Sequence, residues 1–120
     1  MEELEVGEYV RLVSGLIGQF YNIEEGCDGN IIVNFEEFAY EYEDIEQFYN
    51  DIKKHSKIIS EVVEVGDYVN GKLIHKIEKG PNYCYLHYGN CKTFVSNQIR
   101  EILTKEQYMQ NCYKVEEEKK

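Results

Sequence analysis

Tryptophan is absent from this 120-residue chain, proline occurs once, and no base of any kind stands between Leu12 and Ile52. Each shortage excludes something. One proline and nine glycines leave no room for a long flexible or proline-rich linker. No apolar run approaches the roughly 18 residues of a membrane span, and Met1-Glu2-Glu3-Leu4-Glu5 is the reverse of a basic, then apolar secretory signal. The expected location is therefore the cytoplasm. In that compartment the four cysteines, Cys27, Cys84, Cys91 and Cys112, are expected as reduced thiols rather than as a disulfide framework.

What the chain does have is acid, unevenly placed. Residues 1–52 carry 14 acids and one base, Arg11, a net of −13; residues 53–120 carry 9 acids and 12 bases, a net of +3, which together return the formal −10. A field of the first sign repels phosphates, so no direct contact of the first half with nucleic acid or an anionic membrane is expected. It suits a basic groove on another protein.

An internal repeat organises the rest. Glu5-Val6-Gly7-Glu8-Tyr9-Val10 matches Glu64-Val65-Gly66-Asp67-Tyr68-Val69, Leu16-Ile17 answers Leu73-Ile74, and Asn50-Asp51-Ile52-Lys53 answers Asn97-Gln98-Ile99-Arg100. The order is kept while the offset shrinks. This predicts two related units, 1–62 and 63–120, the first with an insertion near 36–47. In the second unit Asn70-Gly71 reads as a type I′ hairpin turn, Gly89-Asn90 as another between strands at 83–88 and 91–95, and Thr104 with Gln107 as the capping box of a short helix. Residues 113–115 read as an edge strand and the acidic and basic end beyond as a frayed tail. Several short strands at tight turns predict a mainly β chain of two tandem SH3-like small barrels with short helices. An α+β chain is the alternative, because Phe38, Tyr42, Ile45, Phe48 or Tyr49, and Ile52 also fall at helical spacing over 37–54, against the repeat, which puts a turn and strand at 48–53.

The runs Ile52-Lys53-Lys54-His55-Ser56, Ile58-Ile59, Glu64-Val65-Gly66-Asp67-Tyr68-Val69-Asn70-Gly71 and Leu103-Thr104-Lys105-Glu106-Gln107-Tyr108 resemble small uncharacterised proteins of clostridia and their phages. The resemblance covers about two thirds of the chain. It implies a mobile-element setting in a bacterial host and carries no activity with it.

Four constellations invite chemistry. Asp28-Gly29-Asn30 with Asn34, Glu37 and Phe38 partly follows an EF-hand loop, yet the position that needs a positive φ is the β-branched Ile31, and a hairpin turn at Asp28-Gly29 explains the same residues. Cys84, His87 and Cys91 have a zinc-like spacing, but on a strand Cys84, Leu86 and Tyr88 share one face while His87 points to the other, and both thiols read better as buried small hydrophobes. His55 next to Ser56 lacks the strained turn that presents a nucleophile, and Ser56 reads as a helix cap for residues 58–62. No catalytic residue, metal or cofactor is expected.

The fourth constellation interleaves acid with tyrosine: Glu36, Glu37, Tyr40, Glu41, Tyr42, Glu43, Asp44, Glu46, Tyr49 and Asp51. Eleven tyrosines exceed what a core this small can hide. Carboxylates spaced among exposed rings can imitate the charge and stacking surface of a nucleic-acid strand, and a solvated face with the rings turned inward is the alternative. The expectation is a non-enzymatic, phage-borne or mobile-element inhibitor whose acidic face enters the basic groove of a host nucleic-acid-handling protein, such as a CRISPR or restriction nuclease. Two other classes compete with it. One is an assembly protein that self-associates as a homodimer; the other sequesters a small molecule in a pocket between the units lined by Tyr68, Tyr85 and His87. Since neither thiol nor carboxylate set has a workable ligand geometry, saturating calcium or a zinc chelator should leave the melting temperature unchanged in a fluorimetric melt.

Overall fold

The computed structural model describes residues 4–111 apart from 82, so Cys112, the strand expected at 113–115 and the tail beyond lie outside the described residues. The chain is mainly β. In the first half β1 (Tyr9–Leu12), β2 (Ile17–Glu25), β3 (Ile31–Phe35), β4 (Ala39–Tyr42) and, after the helix α1 (Ile45–Asn50), β5 (Ile52–Ser56) form one antiparallel sheet in the order β4-β3-β2-β1-β5. In the second half β6 (Tyr68–Val69), β7 (Lys72–Leu73) and β11 (Ile102–Leu103) form a sheet in the order β11-β6-β7, and β8 (Lys76–Lys79), β9 (Cys84–Gly89) and β10 (Lys92–Phe94) a second in the order β10-β9-β8. The helix α2 (Lys105–Asn111) ends the described chain.

The closed barrels expected from the strand count are not formed. The first sheet ends on β4 and β5, which do not pair with each other, and in the second half the chain breaks between β7 and β8 so that the strands divide between two sheets. The helical spacing over 37–54 also gives way. Phe38, Tyr40 and Tyr42 obey a period of two and belong to the β4 hairpin, and the helix starts only where Asp44 caps it, its carboxylate accepting from the Gln47 amide at 2.8 Å. Residues 36–47, where an insertion was expected, hold the β3–β4 turn, β4 and the start of α1.

Three local readings hold. Asp28 (φ 58°) and Gly29 (φ 82°) turn the β2–β3 hairpin, Asn70 (φ 52°) and Gly71 (φ 80°) turn β6 into β7, and the Thr104 hydroxyl and Gln107 amide oxygen exchange backbone bonds at the start of α2. The turn read at Gly89-Asn90 lies one residue later. Gly89 pairs with Lys92, so Asn90 and Cys91 form the loop, with Cys91 in the left-handed region at φ 59°. That slip carries the Cys91 thiol to the surface, and Cys84 is only half-buried, so neither is the buried hydrophobe expected. Ser56 does not cap a helix from its N-cap position. Its hydroxyl accepts from the Ile58 amide at 3.0 Å and donates to Glu61 at 2.6 Å, setting the turn that precedes the 3-10 segment Ile59–Val62.

The two copies of the motif build one and the same turn. The Glu8 amide bonds to the Glu5 carbonyl at 3.1 Å and the Asp67 amide to the Glu64 carbonyl at 3.0 Å. In each copy the carboxylate of the fourth residue accepts from the amide of the first, Glu8 from Glu5 at 3.0 Å and Asp67 from Glu64 at 2.7 Å. Gly7 (φ 97°) and Gly66 (φ 102°) take the left-handed conformation that a side chain resists.

Two cores result. Val10, Leu12, Phe20, Val33, Phe35, Tyr42 and Phe48 fill the first, while the second rests on Val63, Val69, Ile74 and Leu86. Strand β1 is buried on both faces. Val10 and Leu12 face the first core, and on the other face Arg11, fully buried, points toward the second half. Its guanidinium donates to the Val62 carbonyl at 2.9 Å, to both oxygens of Asp67 at 2.5 and 2.9 Å, and to Glu106 at 2.5 Å. Gly15 (φ 96°) lets the β1–β2 loop close over this contact, since a Cβ there would collide with the Thr104 hydroxyl and Glu106. Removing one partner of a buried pair leaves the other charge uncompensated, so Arg11→Met should lower the unfolding free energy in a urea titration by about 3–5 kcal/mol. Asp67→Asn added to it should cost much less than the first change did, because the stranded charge is then gone.

Candidate functional site

The acid and tyrosine constellation folds into one surface built by β4 and α1. Phe35 and Phe38 bracket a two-residue turn, with the Phe35 amide donating to the Phe38 carbonyl at 2.8 Å, so Glu36 and Glu37 project at its tip. On β4 and the residue before it, the rings of Phe38, Tyr40 and Tyr42 form a ladder with centroids 5.9 Å apart at each step, continued by Phe48 and Tyr49 of α1. The inner end of this ladder is core. Tyr42 is buried, and its hydroxyl donates to Asp51 at 2.7 Å; burial first, then that carboxylate, push the phenol far above its ordinary pKa, so it stays a neutral donor. Tyr49 is half-buried against Phe48. Tyr42, Tyr49 and Asp51 thus hold the surface in shape, while Glu36, Glu37, Tyr40, Glu41, Glu43, Asp44 and Glu46 are exposed on it. An open cleft of about 510 Å³ runs along it, lined by Tyr40, Glu41, Tyr42, Gln47, Asn50 and Asp51.

The charges are sorted. Among the described residues, none of Glu36, Glu37, Glu41, Glu43, Asp44 and Glu46 makes an ion pair; Glu37 accepts from the Gln19 amide at 3.0 Å, Glu41 from Asn30 at 2.7 Å, and Asp44 caps α1. The cations of the first half are all engaged elsewhere. Lys53 binds Glu64 at 3.1 Å and Glu106 at 2.7 Å, Lys54 binds Glu64 at 3.5 Å, and Lys57 binds Glu5 at 2.8 Å. The unpaired charge of the first half therefore lies on the β4–α1 side and at the neighbouring end of the β2–β3 hairpin, where Glu24, Glu25 and Asp28 are exposed; Glu37 alone of the β4–α1 acids borders the second half.

The other constellations are not assembled. Tyr68 leans on Tyr108, Tyr85 on Tyr83, and His87 bonds to Glu78, so among the described residues each of the three has a different neighbour, and Tyr68 and Tyr85 line separate cavities rather than the shared pocket expected between the halves. What does lie between the halves is a cleft of about 440 Å³ bordered by Tyr9, Glu37, Ile59, Ser96, Ile99 and Arg100, which sequence reading missed. No local pattern marks it, because packing of one half on the other creates it. No group of His, Cys, Asp or Glu among the described residues is arranged to hold a metal ion, and no described helix is long and apolar enough to cross a membrane.

No family model, curated protein or solved structure matches the chain.

At the junction Glu64 collects Lys105 at 2.9 Å, Lys53 at 3.1 Å, Lys54 at 3.5 Å and Arg11 at 3.8 Å. Burial disfavours its charge, but these hydrogen bonds and cations outweigh it and bring its pKa from 4.5 to about 2; Glu106, partly buried between Lys53 and Arg11, is lowered for the same reason. A carboxylate with a depressed folded pKa contributes stability that is fully present above its unfolded value and is lost as pH falls through the folded one. The melting temperature should therefore fall as pH drops from about 4.5 to about 2, and Glu64→Gln should flatten that slope in a series of melts against pH.

Proposed function

We propose that this protein is a non-enzymatic binding module whose β4–α1 surface docks in a basic groove of a protein partner. The observation that carries the reading is the sorting of charge. Most acids that meet a lysine or arginine within the chain are at the junction, with Glu5 on Lys57 apart from them, and among the described residues the acids around β4 and α1 meet none, so their field is free to act outward. Surface potential of one sign steers encounter and fixes register, while an exposed ring such as Tyr40 slows dissociation. Spaced carboxylates beside a ring offer the charge pattern of a nucleic-acid strand. The fitting partner is a nucleic-acid-handling host protein, a CRISPR or restriction nuclease among them, with the chain acting as its inhibitor from a mobile element in a bacterial cytoplasm. The shared turn at Gly7 and Gly66 supports, as part of the same proposal, the descent of both halves from one SH3-like unit.

The choice of substitutions that test this follows from the side-chain contacts. Asp44 is spared because its carboxylate caps α1, and replacing such a cap costs about 0.5–2 kcal/mol on its own. Glu36, Glu41, Glu43 and Glu46 are exposed, so changing all four to Lys should leave the melting temperature within a few degrees. Association with a partner captured from a bacterial lysate at low salt should fall by about tenfold or more, and rising salt should weaken wild-type binding in the same sense. Lys72→Glu with Lys92→Glu, both exposed in the second half, should change little. Equal losses from the two sets, read by surface plasmon resonance, would place the binding surface elsewhere.

A further inference from the structure

The β4 edge is an open half of a hydrogen-bond ladder. Strand β4 pairs with β3 in the register Ile31 with Tyr42, Ile32 with Glu41, Val33 with Tyr40 and Asn34 with Ala39. The bond from the Phe35 amide to the Phe38 carbonyl sets which pairs face inward. Hydrogen-bonded and non-bonded pairs alternate along an antiparallel ladder, so Phe38, Tyr40 and Tyr42 turn their backbone groups to β3. Ala39 and Glu41 turn theirs outward, and both residues are exposed. No hydrogen bond among the described residues occupies the outward amide or carbonyl of either one.

Proteins usually blunt an open edge with lysine, proline or brevity. The terminal strands β7, β10 and β11 are two or three residues long; β5 carries Lys53 and Lys54, and β8 carries Lys76 and Lys79. Strand β4 has four residues, Ala39-Tyr40-Glu41-Tyr42, and no such guard. We infer that β4 receives an extended, lysine- or arginine-rich segment of the partner as an added strand, resting on the reading of this surface as the docking face. The open backbone groups of Ala39 and Glu41 would supply the main-chain bonds, as in other cases of strand addition. Charge selects the occupant. Side chains on one face of the added strand stand beside Glu41, with Glu43 next along the chain, and those on the other face reach Tyr40, where a cation or an aromatic ring is well received. A second copy pairing β4 to β4 would set acid against acid, which opposes self-association at this edge.

The test uses the full chain and a short synthetic peptide alternating lysine with valine or tyrosine, alongside two counterparts N-methylated on one or the other alternate set of residues. Their charge is unchanged, and only one set can bond to β4. The unmethylated peptide should bind and slow amide hydrogen exchange at Ala39 and Glu41, seen by NMR, and one methylated counterpart should bind about tenfold more weakly than the other, the scale of one lost hydrogen bond or more. Ala39→Pro removes an outward donor at a site where an edge strand tolerates proline, and should weaken the peptide similarly with the acids intact. If all three peptides bind alike and exchange at Ala39 and Glu41 is unchanged, strand addition is overturned while docking by charge survives. If none binds at any salt concentration, both readings fall. Pairing of two copies through β4, seen as concentration-dependent protection of the same amides without peptide, also overturns it.

Discussion

The buried guanidinium of Arg11 is the contact through which the two halves become one structure. It is the sole base of the first 52 residues, and it lies on the one face of β1 that the first core leaves uncovered. A charge so placed is costly unless every neighbour answers it. Asp67 takes it from the turn before β6, Val62 from the end of the first half, and Glu106 from the first turn of α2. Three segments far apart in sequence, β1, residues 62–67 and the start of α2, are thus held at one point. Asp67 serves twice more, accepting the Glu64 and Lys105 amides, so the turn, the last helix and the arginine are positioned together. Among the described residues the guanidinium Nε alone finds no partner.

The same contact explains the distribution of charge. Glu64 and Glu106 draw Lys53, Lys54 and Lys105 to the junction. The acids of β4 and α1 are left with hydrogen bonds from neutral groups and with solvent. A surface whose charges were paired locally would present little field to a partner, whereas this one presents six exposed carboxylates that meet no cation among the described residues. The stability of the junction and the polarity of the opposite surface are two sides of one arrangement. The aromatic ladder from Phe38 to Tyr49 divides in a similar way, anchored in the core through Tyr42 and Phe48 and open to solvent at Tyr40.

Features governed by a few adjacent residues are legible in the amino-acid sequence. Asp28-Gly29 and Asn70-Gly71 turn where a positive φ is cheap, Thr104 and Gln107 close a capping box, and the repeated Glu-Val-Gly-acid segment builds the same turn twice. Local pattern misleads where two preferences compete. Over 37–54 the aromatic residues satisfy helical spacing and strand alternation at once, and the Asp44 cap with the Glu36-Glu37 turn decides for a strand followed by a short helix. At Gly89-Asn90 the turn moves one residue because the β9–β10 register pairs Gly89 with Lys92, which carries Cys91 out of any core.

By itself, then, the sequence determined the mainly β character, the tight turns, the duplicated motif and the concentration of acid in the first half, since each follows from conformational preference or charge within a short window. Only the tertiary structure decided that the sheets stay open, that Tyr42 and Asp51 bind each other and Tyr40 faces out, and that Arg11 is enclosed by Asp67, Glu106 and Val62. The reason is distance along the chain. Arg11 lies 95 residues from Glu106, and nothing in the neighbourhood of either one records that they meet; their contact exists only once both halves have folded and the β1 face that the first core cannot cover has been covered by the second.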